Sequence, residues 1–321
     1  KAMNTSHRAD ILRVGLAQIE PVWLHREATL EKVLAATSEA AAQGCGLVVF
    51  GEGVLPGYPF WLSHTDGAKF NSHFQKALHA HYVASSVSLE AGHLDRLCAL
   101  AEQLGIAVYL GCIEQPTERG ASLYASLVYI DERGRIESVH RKLMPTYEER
   151  LSWSPGDGHG LRTHALNGFR VGGLNCWENW MPMARAALYG QGETLHVAVW
   201  PGSPTNTEDI TRFMAMEGRS FVVSVSGLMH KANLVPEIPG IDSLRELLPD
   251  TCASGGSCVA APDGTWLLPP QPDQEAVFTA DLDLRLVHEE RQNFDPAGHY
   301  ARPDVLSLRV NRARQRTVVD E

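Results

Sequence analysis

No apolar run in this 321-residue chain approaches the roughly 20 residues that a helix needs to cross a bilayer. The first ten residues are polar and lack the apolar centre of a secretory signal. Basic charge is scarce as well: 28 Lys and Arg stand against 38 Asp and Glu, a formal net charge of −10. Nucleic acid needs basic surface to neutralise its phosphates, and so does an anionic membrane, so neither is an expected partner. Cysteine is sparse, with six residues: Cys45, Cys98, Cys112, Cys176, Cys252 and Cys258. They are too few to staple a chain of this length, and no pair has the spacing of a zinc ribbon. A reducing cytoplasm is the compartment these absences predict. Repeats and low-complexity linkers are missing too. Asn4-Thr5-Ser6 matches a glycosylation sequon, a tripeptide common by chance, and Lys1-Ala2 ahead of Met3 reads as a vector remnant.

What is present is the composition of an ordinary globular protein, 44% hydrophobic and 21% charged, long enough for one large α/β domain. Residues 11–19 are a strand candidate, 27–43 an amphipathic helix closed by Gly44, and 46–50 a continuous apolar run typical of a strand buried on both faces. A weakly patterned helix follows over 69–87, then a clearer one over 89–104 stopped by Gly105. Strands over 106–113 and 122–130 lead to a return strand over 135–140, across the turn Asp131-Glu132-Arg133-Gly134. Next come a Gly-rich strand over 169–174, a helix over 183–190 behind Pro182, a strand over 195–199, a helix over 208–218 and a strand over 220–226. Residues 231–250 read as an irregular insertion at the surface or at a subunit contact. Cys252 and Cys258 flank a Gly-rich turn, a hairpin spans 256–268, and the last strand is 276–282. From Asp283 the chain is polar and ends with Arg309, Arg312, Arg314 and Arg316, a solvated or partner-contacting arm. The expected division is an N-terminal tail (1–10), a single domain (11–304) and a C-terminal tail (305–321).

Three residues stand at the ends of buried strands, where α/β sheets collect function. Glu52, in Gly51-Glu52-Gly53, follows the 46–50 strand. A solvated turn is the bland reading, but Glu seldom sits at such a mouth without a partner. Lys142 is one of only six lysines and ends the return strand. Cys176 lies between the 169–174 strand and the next helix. Backbone N–H groups and a positive helix end there would favour its thiolate, whereas alone it would read as a small buried hydrophobe. Glu149 lies three residues after Thr146, the spacing of a helix capping box; a partnership with Lys142 is the functional alternative. Tyr58, Trp61, Trp177 and Trp200 are candidate pocket walls or core residues. His73, His79 and His81 cluster in sequence, but positions two apart on a helix diverge, so no metal site is expected.

Glu52, Lys142 and Cys176 together fit one kind of chemistry. A buried carboxylate takes the thiol proton, and the thiolate attacks an electrophilic carbon to form a covalent intermediate. The Lys ammonium stabilises the negative charge that develops, and the Glu returns its proton to a leaving nitrogen and then activates water. Burial and Lys142 pull the Glu52 carboxyl in opposite directions.

The surrounding motifs are Phe50-Gly51-Glu52-Gly53-Val54-Leu55-Pro56-Gly57-Tyr58-Pro59, His140-Arg141-Lys142-Leu143-Met144-Pro145-Thr146 and Gly173-Leu174-Asn175-Cys176-Trp177-Glu178-Asn179-Trp180-Met181-Pro182. In this order they resemble the nitrilase superfamily, carbon–nitrogen hydrolases with a Glu-Lys-Cys triad. The first departs from the family at Gly51, where Pro is frequent. The Cys-Trp-Glu of the third is similar to the true nitrilase branch rather than to amidases or carbamoylases. Asn293-Phe294-Asp295-Pro296-Ala297-Gly298-His299-Tyr300-Ala301-Arg302-Pro303-Asp304 resembles the end segment of nitrilases, so the likeness runs from about Val14 to about Asp304. It implies an α-β-β-α sandwich that dimerises into an eight-layered assembly and extends into spirals, with 231–250 and the tail as contact candidates. It further implies hydrolysis of a small-molecule nitrile to the acid and ammonia through a thioimidate and a thioester, with no cofactor. Cys176 would be the nucleophile, Glu52 the general base and acid, Lys142 the charge stabiliser and Glu149 a support for lysine and substrate. The alternatives are an amidase or a nitrile or cyanide hydratase of the same superfamily, and a non-catalytic scaffold of this fold. A Cys–His protease lacks a His in a convincing motif after Cys176.

Overall fold

Strands that are apolar on both sides need a layer against each face, and this chain answers with two sheets packed together between two layers of helices. The computed structural model describes residues 10–319, so Lys1-Ala2 and Asn4-Thr5-Ser6 lie outside the described residues. The first sheet contains β1 (Ile11–Gln18), β2 (Leu47–Phe50), β3 (Ala107–Glu114), β4 (Tyr124–Ile130), β5 (Ile136–Arg141) and β13 (Ala276–Asp283), in the order β13-β1-β2-β3-β4-β5. The second contains β6 (His164–Leu166), β7 (Phe169–Asn175), β8 (Leu195–Trp200), β9 (Phe221–Ser226), β10 (Leu228–His230) and β11 (Thr251–Ala260), in the order β10-β11-β9-β8-β7-β6, with β12 (Trp266–Pro272) paired to β11. Val14, Leu16, Val49 and Tyr109 of the first sheet meet Val171, Val197, Val199 and Val223 of the second in the central core.

The outer face of the first sheet is covered by α1 (Arg26–Ala42) and α4 (Asp95–Leu104), through Leu30, Val33, Leu97 and Ala101. The second is covered by α5 (Pro182–Tyr189) and α6 (Pro204–Gly218), through Leu188, Ile210 and Met214. This is the expected αββα sandwich. The short α2 (Trp61–His64), α3 (His73–Ser85), α7 (Ile241–Leu247) and α8 (Leu284–Glu290) complete the helices. Among the described residues, no helix is long and apolar enough to cross a membrane.

Several expectations need correction. The helix placed at 89–104 begins only at Asp95, because Gly92 takes φ +75° and His93 Nδ1 accepts from the Ser88 N–H at 3.0 Å, holding a turn. Residues 231–250 are no loose insertion. They include α7 and bury Leu234, Ile238, Leu244 and Leu248 against Trp23, Trp61 and Tyr82. Cys252 and Cys258 lie inside β11, which bulges at Gly255 and Gly256 instead of turning. The polar stretch after Asp283 forms α8, with Val287 buried. The C-terminal arm is pinned rather than solvated at its centre: Arg314 pairs with Asp157 at 2.9 Å and donates to the Val139 carbonyl at 2.7 Å.

The topology brings particular strand ends together. β5 is antiparallel to β4, and β4 to β3, so β5 runs in the direction of β2. Residues that follow β2 and β5 therefore leave the first sheet at the same edge. In the second sheet β7 and β8 are parallel. The Glu52 N–H donates to the Trp200 carbonyl at 3.1 Å, which joins the carboxyl ends of β2 and β8. That approach is close. A Cβ on Gly51 would stand 3.0 Å from both Trp200 O and Gly227 N, and one on Gly111 would stand 2.0 Å from Gly51 O. The bare backbone at Gly51 thus eases the meeting of the two sheets, while Gly111 makes room for the Gly51–Glu52 backbone of its own sheet.

Candidate active site

Glu52 follows β2, Lys142 follows β5 directly, and Cys176 follows β7 directly. The fold gathers all three, together with Glu149, into one buried group. Lys142 Nζ lies 2.8 Å from Glu52 Oε1 and 2.7 Å from Glu149 Oε2. A carboxylate oxygen of Glu52, one of Glu149 and the Cys176 thiol all lie within 4.8 Å of one another. Such a set could hold a metal ion, but the Lys142 ammonium already bridges both carboxylates and repels a second cation.

The two carboxylates are not equivalent. Glu149 Oε2 accepts from Lys142 and from the Thr146 N–H at 2.6 Å, and its Oε1 accepts from the Tyr58 hydroxyl at 2.7 Å. The cap and the lysine partner, posed as alternatives from the sequence, are therefore both made. Glu52 Oε2 meets no hydrogen-bond partner among the described residues. A buried carboxylate oxygen with a free acceptor site suits a group that collects a proton.

Burial raises the Glu52 carboxyl and Lys142 lowers it, while the charges of Glu149 and Glu178 raise it further; the balance lifts it to about 8. Burial lowers Lys142, but Glu52, Cys176 and Glu149 outweigh that and hold its proton more tightly than usual. The thiolate expected for Cys176 is not favoured at rest. Burial and the two carboxylates push its thiol well above the ordinary value, against the pull of Lys142 and the Trp177 N–H. The helix dipole contributes little, because a 3-10 turn, Cys176–Trp180, intervenes and α5 begins only at Pro182.

The backbone at Cys176 is bent sharply. Its φ is +51°, a left-handed conformation that costs a non-glycine residue about 1–3 kcal/mol. The Asn179 amide sustains it, donating to the Cys176 carbonyl at 2.9 Å and accepting at Oδ1 from the ring of His196 at 2.7 Å.

The chain matches the carbon–nitrogen hydrolase family over residues 13–292. Nitrilase 2 from an unknown prokaryotic organism is 34% identical over 307 residues, covering 95% of this chain and 94% of that one. An aliphatic nitrilase of Rhodococcus rhodochrous is 36% identical over 312 residues, covering 94% and 79%. The chain belongs to the carbon–nitrogen hydrolase family, in its nitrilase branch. A carbon–nitrogen hydrolase from Helicobacter pylori G27 shares the fold, with TM-score 0.70 at 20% identity, covering 93% of this chain and 97% of that one.

In this carbon–nitrogen hydrolase the four aromatic candidates part company. Tyr58 touches the site through its hydroxyl on Glu149. Trp61 is buried edge-on to Trp23 and Tyr82, and it borders a cavity of about 270 Å³ shared with Gln75, His79 and Leu151 that includes none of the four charged or thiol groups. Trp177 is 56% exposed. Trp200 is wholly buried in the layer beneath α6, where its indole donates to Ser224 Oγ at 3.2 Å. Trp153, which sequence reasoning passed over, lies 5.4 Å from Lys142 Nζ across its ring face. His81 bonds the Leu24 carbonyl, and His73, His79 and His81 form no metal-ligating group among the described residues. Glu178 and Asn179 entered sequence reasoning only as letters of a motif; the Asn175–Glu178 spacing of a capping box could have announced the bond from the Asn175 N–H, but not those to His140 and Leu143.

Proposed function

We propose that this protein is a nitrilase that converts R–C≡N and two waters to R–COOH and ammonia. The observation that carries this reading is the single ammonium of Lys142 set between two buried carboxylates beside a buried thiol. Glu52 in its ionised form takes the Cys176 proton as Sγ bonds to the nitrile carbon, and the proton passes to nitrogen, giving a thioimidate. A first water adds with Glu52 as base, and Lys142 stabilises the charge of the tetrahedral species. Collapse with protonation of nitrogen by Glu52 releases ammonia and leaves a thioester. A second water, activated in the same way, releases the acid and restores the thiol. Glu149, itself held by the Tyr58 hydroxyl and the Thr146 N–H, keeps Lys142 in place. The thiol supplies the nucleophile, so no cofactor enters the sequence.

The test is product analysis with a nitrile panel. Acid and ammonia in equal amounts are expected, and none from Cys176→Ala. Amide as the only product would make the protein a hydratase. Undiminished nitrile consumption by Cys176→Ala would sink the mechanism, and a wild type inert to nitriles, amides and carbamoyl compounds would point to a scaffold.

We further propose a cytoplasmic homo-oligomer. Six free thiols suit a reducing compartment. The outer helices carry exposed Met183, Phe213 and Met216, next to exposed Trp177 and Trp180, on elements joined by the Arg185–Glu217 pair at 2.6 Å. Such an apolar face suits a second copy of the chain.

A further inference from the structure

Glu178 is as deeply buried as Lys142, yet it bonds no reactive side chain. Its Oε1 accepts from the Asn175 N–H at 3.0 Å and lies 2.8 Å from His140 Nε2. Its Oε2 accepts from the Leu143 N–H at 2.7 Å. These partners flank the two residues assigned the chemistry. Asn175 precedes Cys176, Leu143 follows Lys142, and His140 stands on the same strand end, two residues before Lys142. One carboxylate therefore fastens the end of β7, in the second sheet, to the end of β5, in the first.

We propose that Glu178, together with His140, is a positioning residue that fixes the separation between the Cys176 thiol and the Lys142 ammonium through the backbone on either side of both. This rests on the reading of Cys176 as nucleophile and Lys142 as charge stabiliser. The chemistry of the site selects a carboxylate. Three donors converge on it, and an ionised carboxylate only accepts, so His140 donates through Nε2. A glutamine offers one acceptor oxygen, and its NH₂ would face at least one of the buried N–H groups. An aspartate keeps the charge but is one methylene too short to reach both strand ends. Burial raises the Glu178 carboxyl, and His140 and the two backbone donors more than offset this, holding it below its ordinary range. The titratable groups around it are His140 on β5 and, across the site, Glu52, whose carboxyl the Glu178 charge raises. The same pairing accounts for the co-occurrence in this chain of His140-Arg141-Lys142 with Cys176-Trp177-Glu178: the histidine and the glutamate are two halves of one contact.

The experiment compares wild type, Glu178→Gln and Glu178→Asp on a nitrile that the wild type hydrolyses. It measures kcat, KM and the pH dependence of Cys176 alkylation by iodoacetamide, localised by mass spectrometry. With thiol and ammonium out of register, kcat is expected to fall about 100-fold in Glu178→Gln with KM little changed. The midpoint for Cys176 alkylation is expected to shift, because the ammonium no longer faces the thiol at its set distance. Glu178→Asp is expected not to restore kcat. Wild-type kcat and an unmoved alkylation profile in Glu178→Gln would overturn the proposal. So would a loss that merely tracks the fraction of folded protein, with the alkylation profile unchanged in what remains. Should Glu178→Gln not fold, His140→Ala, which leaves both backbone bonds in place, takes its place: a lower kcat with a shifted alkylation midpoint supports the proposal, and wild-type values of both overturn it. Cys176→Ala run alongside separates the two levels. Full activity there defeats the reading of Cys176 itself, whereas an inert Cys176→Ala beside a wild-type Glu178→Gln defeats only this inference.

Discussion

At the residue scale, the resting state is a thiol, an ammonium and a carboxyl with a displaced titration, and it dictates a pH profile. Glu52 must be ionised to take the thiol proton. Its carboxyl is lifted to about 8, so the ionised fraction drops about tenfold for each pH unit below that value. Lys142 is moved upward from its ordinary 10.5, so it stays charged throughout and contributes no alkaline loss below that value. Accordingly kcat/KM is expected to fall as the pH falls, with a midpoint near 8. A pH–rate profile checks this, and an acid limb near the ordinary carboxyl value of 4.5 would remove Glu52 as the base. Glu149 differs from Glu52 by its company: both its oxygens accept hydrogen bonds, from three donors in all, whereas Glu52 Oε2 meets none among the described residues.

At the element scale, residues 231–250 contribute to the core beside the site's aromatic loop. Helix α7 shows this in two leucines of one sequence type. Leu244 is fully buried against Trp61 and Tyr82, whereas Leu247 is 49% exposed. Leu244→Ala is expected to cost about 2–5 kcal/mol through lost burial and a residual cavity. Leu247→Ala is expected to stay within about 0.5 kcal/mol of wild type. Thermal denaturation of the pair checks the assignment, and equal effects would contradict it. The elbow after β7 depends on its own supports. A left-handed Cys176 would relax toward an ordinary backbone without the Asn179 amide and the His196 ring behind it.

At the scale of the whole molecule, the two sheets meet at their carboxyl ends, so the site belongs to neither. β2 and β5 of one sheet and β7 of the other each deliver one residue of the buried group, Glu52, Lys142 and Cys176. Gly51 suits the point where the first sheet meets Trp200 and Gly227 of the second, and Gly111 leaves room for the backbone that carries Glu52. The α5–α6 side carries several of the apolar side chains left exposed by folding, among them Met183, Phe213 and Met216. Light scattering is expected to give a mass that is a multiple of the 35.2 kDa chain, and Met183→Glu with Phe213→Glu to reduce it. A monomeric wild type would refute the pairing through α5 and α6.

Most elements were legible because they are written in short-range pattern. Apolar runs marked the buried strands, and Pro182 and Gly105 marked helix ends within a residue. Glu52, Lys142 and Cys176 were legible as well, since each stood next to such a run and lysine and cysteine are scarce, with six residues each. The sequence by itself therefore determined the alternation of strand and helix, the candidate site residues and the family. Only the tertiary structure decided what those residues are at rest. Desolvation and Coulomb energy depend on neighbours that are remote along the chain, and these made Cys176 a thiol where local backbone alone favoured thiolate. The fold also left Glu52 Oε2 without a donor among the described residues, while both oxygens of Glu149 accept. It also drew Trp200 into the core and turned Glu178 from a motif letter into the bond between two sheets.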